Sequence, residues 1–224
     1  MIVLRGVNKI HGAGGPAEFQ SLYDIGLEVK AGELAILKGV SGSGKTTLLS
    51  IIGALQKPSS GEVEVDGRRI AKLPDLHASE FRAQTIGFIF QAFNLFEEFN
   101  VAENVALPLI PTGISQKDID IHVSRAMEVA NIQHKATQSV RDLSGGEKQR
   151  AAIARALVND AKIILCDEPT ANLDRANAET FISILGELKS LGKTILIATH
   201  DPMLEDLALV DRVFSIEAGR IVDL

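Results

Sequence analysis

The spacing of apolar positions changes period along the chain. Residues 1–30 alternate apolar and polar side chains, as in IVLRGV (2–7) and LYDIGLEV (22–29), the pattern of strands with one wet face. GEVEVDGRRI (61–70) reads as two short strands around Asp66-Gly67, a hairpin signal. Three other segments are short unbroken apolar runs: LAIL (34–37), IILC (163–166) and TILIAT (194–199). Such runs suit strands covered on both faces, as in a parallel sheet under helices. A helical pattern follows each of them, so an α/β fold is expected. Between about 92 and 142 the rhythm breaks, with Pro108 and Pro111 ahead of a helical pattern through DIDIHVSRAMEVANI. We read this stretch as a mostly helical insertion into the core of a single domain spanning 1–224. No repeat, low-complexity tract or long linker divides the chain.

Composition narrows the class. At 224 residues the chain can bury a large core, and 46% hydrophobic residues exclude general disorder. A net charge of −6 gives no reason to expect nucleic acid as a partner. Cys166 is the single cysteine, so no internal disulfide forms and a reducing compartment is the simplest expectation. MIVLRGVNKI lacks the apolar core of a signal peptide, and no apolar run approaches the ~20 residues that span a bilayer. The expectation is a soluble chain that reaches a membrane only through a partner.

The chemistry begins at GVSGSGKTT (39–47), which fits G-x-x-x-x-G-K-[ST] with a buried strand before it and KTTLLSIIGAL after it. Around such a loop, backbone N–H groups and a helix N-terminus surround phosphate oxygens. Gly39, Ser41, Gly42, Ser43, Gly44, Lys45, Thr46 and Thr47 are therefore nucleotide-binding candidates. Lys45 would reach the β and γ phosphates, and the Thr46 hydroxyl would ligate Mg²⁺. KIILCDEPT sets Asp167 and Glu168 where a buried strand stops, the place where open α/β sheets bind ligands. Two adjacent carboxylates there need a shared cation or proton; Asp167 would hold Mg²⁺ and Glu168 would orient or deprotonate a water. TILIATHD puts His200 at a similar strand end, in reach of the γ-phosphate. Gln91, closing TIGFIFQ, is a further Mg²⁺ or water ligand. His77, His122 and His134 have no such setting.

RDLSGGEKQRAAIARAL (141–157) presents a second glycine-lined helix start. Ser144 and Glu147 have capping-box spacing, but the box does not explain Gly145 and Gly146, each costing up to about 1 kcal/mol in a helix. Bare backbone in a first turn suits the close approach of an anion, and Lys148 and Arg150 nearby agree with one. The turn has no lysine or Mg²⁺ ligand of its own. It reads as half a site, completed by another copy of the chain.

GVSGSGKTT, Gln91, LSGGEKQR, IILCDEPT, NLD (172–174) and THD (199–201) together resemble the ABC-type ATPase domain over essentially the whole chain. The resemblance implies a P-loop NTPase core with a mainly parallel sheet, an N-terminal antiparallel β subdomain and an inserted helical subdomain. It implies ATP and Mg²⁺ as cofactors and a head-to-tail, ATP-dependent homodimer. Ser144, Gly145 and Gly146 would then meet the γ-phosphate in trans, and Asp174 would lie in the loop that couples the two sites. Glu168 and His200 would promote attack by water. The family usually stacks an aromatic residue on adenine; here NKIHGAGG places His11 at that position, with Phe19 as the alternative.

Five of the nine phenylalanines lie at 88, 90, 93, 96 and 99. Phe88 and Phe90 share strand parity and are expected in the core. Phe93, Phe96 and Phe99 follow Gln91, where a family member receives a membrane partner; packing of the insertion onto the core is the other reading. FNLFEEFNVAENVALPLI and the compact end AGRIVDL resemble the LolD/MacB branch. That branch implies an energy-coupling subunit for a permease, engaged in export or lipoprotein release at the inner face of the cell membrane. The FtsE type, an ATP-driven mechanical switch without a transported substrate, is the alternative.

Overall fold

The computed structural model describes residues 1–222, so the last two residues of AGRIVDL lie outside it. Two sheets form the molecule. The first is antiparallel, ordered β2-β1-β4-β5, from β1 (Ile2–His11), β2 (Phe19–Val29), β4 (Ser60–Val65) and β5 (Arg68–Arg69). Asp66 (φ 50) and Gly67 (φ 74) turn β4 into β5, the left-handed pair that a two-residue hairpin needs. The second sheet has six strands, ordered β10-β9-β3-β8-β7-β6: β3 (Leu34–Lys38), β6 (Ile86–Ile89), β7 (Ile163–Asp167), β8 (Thr194–Thr199), β9 (Arg212–Glu217) and β10 (Arg220–Val222). All its neighbours pair in parallel except β9 and β10.

Central strands read as unbroken apolar runs because each feeds two cores. Leu34, Ile36, Ile164, Cys166, Ile195 and Ile197 face one core. The alternate residues Ala35, Leu37, Ile163, Leu165, Leu196 and Ala198 face the other. The second core is closed by the antiparallel sheet together with α1 (Lys45–Ile52) and α2 (Asp75–Thr85). The first is closed by α3 (Val101–Ala106), α4 (Gln116–Val129), α5 (Gly145–Leu157) and α6 (Arg175–Ser190). With both faces covered, a period of two in side-chain direction leaves no polar position to alternate with.

The 92–142 stretch carries α3 and α4, with Pro108 and Pro111 in a 3-10 turn between them. A last short helix, α7 (Pro202–Glu205), follows β8. No helix among the described residues is long and apolar enough to cross a membrane.

Two expectations about β6 are corrected. Thr85 ends α2, and the strand stops at Ile89, so Gln91 sits two residues beyond it. Phe88 packs against the second core as expected, but Phe90 joins neither core: both rings are half-buried and stacked on each other, with centroids 4.2 Å apart. β6 is an edge strand, and its face has less cover than its neighbours' faces. Phe96 and Phe99 are exposed and tilted against each other at 5.6 Å.

Candidate active site

The loop from Gly39 to Gly44 joins the end of β3 to the start of α1, and β7 and β8 end on the same side of the sheet. Parallel pairing makes this unavoidable, since β3, β8 and β7 are direct neighbours running the same way. His11, Phe19, Ser41, Gly42, Gly44, Lys45, Thr46, Thr47, Gln91, Glu168 and His200 line one open cavity of about 310 Å³.

Lys45 is buried, and its Nζ donates to the Gly39 carbonyl at 2.6 Å and the Val40 carbonyl at 3.2 Å. The same Nζ lies 3.2 Å from Glu168 Oε1. His200 Nδ1 is 2.9 Å from that oxygen, and the Thr199 hydroxyl donates to Glu168 Oε2 at 3.3 Å. Glu168 thus has three partners, one from the start of α1 and two from the end of β8. Its backbone is left-handed, φ 45, a conformation costing on the order of 1–3 kcal/mol that clusters at functional sites. Its N–H donates to the Ala198 carbonyl at 2.8 Å, which fixes the turn.

Asp167 is the last residue of β7 and is buried. Burial pushes its carboxyl above the usual value; the Thr46 hydroxyl, donating at 3.2 Å, draws it down, the charge of Glu168 raises it, and Lys45 opposes that. The buried Asp167 carboxylate with the Thr46 hydroxyl on it, beside the cavity that Thr46 and Gln91 line, offers oxygen donors. That set fits a hard divalent cation such as Mg²⁺. Ser43 Oγ, buried beneath the loop, has no hydrogen-bond partner among the described residues. Gly39 also lies behind the loop wall, where an added Cβ would fall 2.7 Å from Ser43 Oγ.

His11 and Phe19 lie side by side at the cavity. They pair across β1 and β2, and their rings stack at 4.7 Å and 10°. Ser21 holds the imidazole, with 2.9 Å between Oγ and Nε2, and Phe19 is 59% exposed. Sequence reading missed Ser21, although its place two residues along the same strand face as Phe19 would have revealed it.

Ser144, Gly145, Gly146 and Asp174 take no part in this cavity. Ser144 caps α5: the Glu147 N–H donates to its Oγ, while Glu147 Oε2 accepts the Ser144 N–H at 2.7 Å and hydroxyl at 2.9 Å. The Ser144 backbone bond, then Lys135 at 3.0 Å, then the Ser144 hydroxyl hold the Glu147 carboxyl down at about 2. Gly146 also has an internal reason: it is buried, and a Cβ would lie 2.1 Å from Asn177 Oδ1. Gly145 is exposed, and nothing would come nearer its Cβ than the Asn172 carbonyl at 3.5 Å. Lys148 and Arg150 likewise have protein partners, Glu97 at 3.7 Å and Asn177 Oδ1 at 3.0 Å, so they do not argue for an anion. Asp174 caps α6, accepting from the Asn177 N–H at 2.9 Å.

The strand order and the phosphate-type loop between β3 and α1 define a P-loop NTPase fold. Residues 22–171 match the family described as ABC transporter. The chain is 39% identical to the ABC transporter ATP-binding protein YknY of Bacillus subtilis, over 99% of this chain and 95% of that one. It is 37% identical to the lipoprotein-releasing system ATP-binding protein LolD of Bacteroides fragilis, over 99% of this chain and 100% of that one. Identity to the macrolide export ATP-binding/permease protein MacB 1/2 of Paracoccus denitrificans is 40%, over 99% of this chain but 33% of the relative. The dimeric structure of MJ0796, a bacterial ABC transporter cassette, superposes with a TM-score of 0.90 at 36% identity, covering 100% of this chain and 97% of that one. The chain belongs to the ABC transporter family.

Proposed function

We propose that this chain is an ATP-hydrolysing, energy-coupling subunit of a membrane transporter of the LolD/MacB type. The observation that carries the reading is the convergence of Lys45 and Thr46, at the start of α1, with Asp167, Glu168 and His200, at the ends of the adjacent parallel strands β7 and β8. The same MJ0796 cassette, solved after hydrolysis with ADP and Pi, is a close structural relative at a TM-score of 0.90. The whole chain acts as one ATPase domain, with residues of about 92–142 as its helical part.

Lys45 and the loop amides bind the β and γ phosphates. Phe19, backed by His11, offers its exposed face to the adenine. Thr46, Gln91 and Asp167 would hold Mg²⁺, which when bound neutralises charge on the β and γ oxygens. Glu168, steered by His200 and Thr199, accepts the proton of the attacking water, and His200 helps keep that water in line. Two chains pair head to tail, and Ser144, Gly145 and Gly146 of one close on the γ-phosphate held by the other. Asp174 lies in the turn that couples the two sites. The exposed Phe96 and Phe99, with Phe93 beside them, receive a permease, which holds the subunit at the cytoplasmic face of the membrane.

One variant tests both halves of this reading. Glu168→Gln should retain ATP binding and lose roughly 10²–10⁴-fold in phosphate release, the range of a positioned general base. Tagged and ATP-bound, it should co-purify a permease with few transmembrane helices and a large external domain from detergent-solubilised source membranes. Near-normal turnover removes Glu168 from its role, and repeated recovery without a membrane protein removes the transporter reading.

A further inference from the structure

We infer that Arg155 is a positioning residue for this site: its guanidinium fixes the loop after β6 in the conformation that aims Gln91 into the cavity. The inference rests on the proposed reading of Gln91 as a site residue. It starts from two adjacent left-handed residues, Phe93 (φ 60) and Asn94 (φ 51), neither of them glycine. The loop's own backbone bonds are two short ones, Phe93 N–H to Phe90 O at 3.1 Å and Asn94 N–H to Ala92 O at 2.6 Å. Nothing local accounts for a strained pair held by so little.

Side chains from elsewhere supply the hold. Arg155 Nη2 donates to the Phe93 carbonyl at 2.6 Å, and Nη1 donates to the Asn94 carbonyl. Asn172 Nδ2 donates to the Gln91 carbonyl at 3.0 Å. On the far side Asn104, fully buried, accepts the Phe96 N–H at 2.8 Å and returns a bond to the Phe96 carbonyl at 2.9 Å. Arg155 reaches the loop because α5 lies directly on β6: at Gly87 a Cβ would be 2.2 Å from the Ala156 carbonyl. The two bonds use the planar fork of the guanidinium, which an ammonium does not reproduce. A helix that begins at Ser144 therefore ends by setting the backbone that leads away from Gln91.

The test compares wild type, Arg155→Lys, Arg155→Lys with Asn94→Gly, and Gln91→Ala. Glycine takes the left-handed conformation without steric cost, so it should make the native loop easier to reach when the clamp is weakened. Arg155→Lys should lower kcat about tenfold with KM for ATP within about twofold, as misplacement of a group does when binding survives. Amide exchange at Phe93 and Asn94 should rise in step while α5 stays protected, and the glycine should recover most of the kcat. A kcat loss that the glycine leaves untouched, or unchanged exchange in the loop, overturns the inference. Wild-type turnover by Gln91→Ala would defeat the reading of Gln91 instead, and the exchange at Phe93 and Asn94 would still decide whether Arg155 holds the loop.

Discussion

Two helices in this chain begin on glycine-lined turns, and their electrostatics are opposite. α1 starts from Gly44 with no side-chain cap and no acidic residue in its first turn, and Lys45 is its first residue. α5 starts from Ser144 with a complete capping box, and its third residue, Glu147, is a carboxylate held down at about 2. Around α1 the free N–H groups and the ammonium favour an anion without help from another chain. Around α5 the helix already carries a negative charge, and the Ser144 hydroxyl already has an acceptor. An isolated phosphate gains little there. A phosphate whose charge is compensated by another chain's Lys45 and bound cation is a different ligand, and Gly145 leaves the backbone open to it. Similar local sequence therefore makes an uncapped helix start led by a lysine in one place and a capped, acidic one in the other.

The comparison breaks first on complementation. Lys45→Ala disables α1's site and Ser144→Arg obstructs α5's surface, so each variant alone should lose nearly all ATP turnover. A heterodimer keeps one intact site, built from the Lys45 of one chain and the Ser144 of the other. In a two-fold dimer with independent sites, an equal mixture should recover about a quarter of wild-type turnover. Mixing without recovery would mean that α5 serves its own chain or none.

Gly145 and Gly146 sharpen it next. An alanine at Gly146 drives its Cβ into Asn177, whose amide also bonds Asp174 and Arg150. Overpacking of this kind costs about 1–3 kcal/mol, read as a lower denaturation midpoint. Gly145→Ala meets no such obstacle, so its stability loss should stay within the helix-start range while its turnover falls further than its stability. Equal stability losses at the two positions would remove the distinction between a packing glycine and a surface-opening one.

The two glycines also show how far the residues alone could be read. Capping box, P-loop, hairpin and buried strands were legible because each depends on neighbours a few positions apart. The alternate residues of the buried runs could be assigned to strands but not to cores, since which face meets which helices is a property of the whole sheet. The packing of Gly146 on Asn177, 31 residues away, was not legible, because nothing local signals that contact. Phe90 was read as core along with Phe88 because parity marks a face and says nothing of how far its cover extends. The cavity's members were legible one by one as strand ends, whereas the triangle of Lys45, Glu168 and His200 depends on the β3-β8-β7 order. Arg155 and Asn104 carried no signal, because the bonds that give them importance run to backbone carbonyls and amides of a loop.

The smallest effect concerns pH at the start of α5. The ordinary glutamate value is 4.5 and the folded value of Glu147 is about 2, so the unfolded chain takes up this proton first as pH falls. A carboxyl lowered on folding stabilises the fold fully above the unfolded value, and that contribution is lost between about 4.5 and 2. Glutamine at this position keeps the capping geometry but carries no charge for Lys135 and does not titrate. Glu147→Gln should therefore be less stable than wild type at pH 7, and the gap should close as pH falls from 5 towards 2. High salt should narrow the gap, because the Lys135 pair is partly exposed. A gap of constant size from pH 7 to pH 3, in denaturation midpoints of the two chains, would assign the effect to capping geometry. The contrast between α1 and α5 would then lose its electrostatic half.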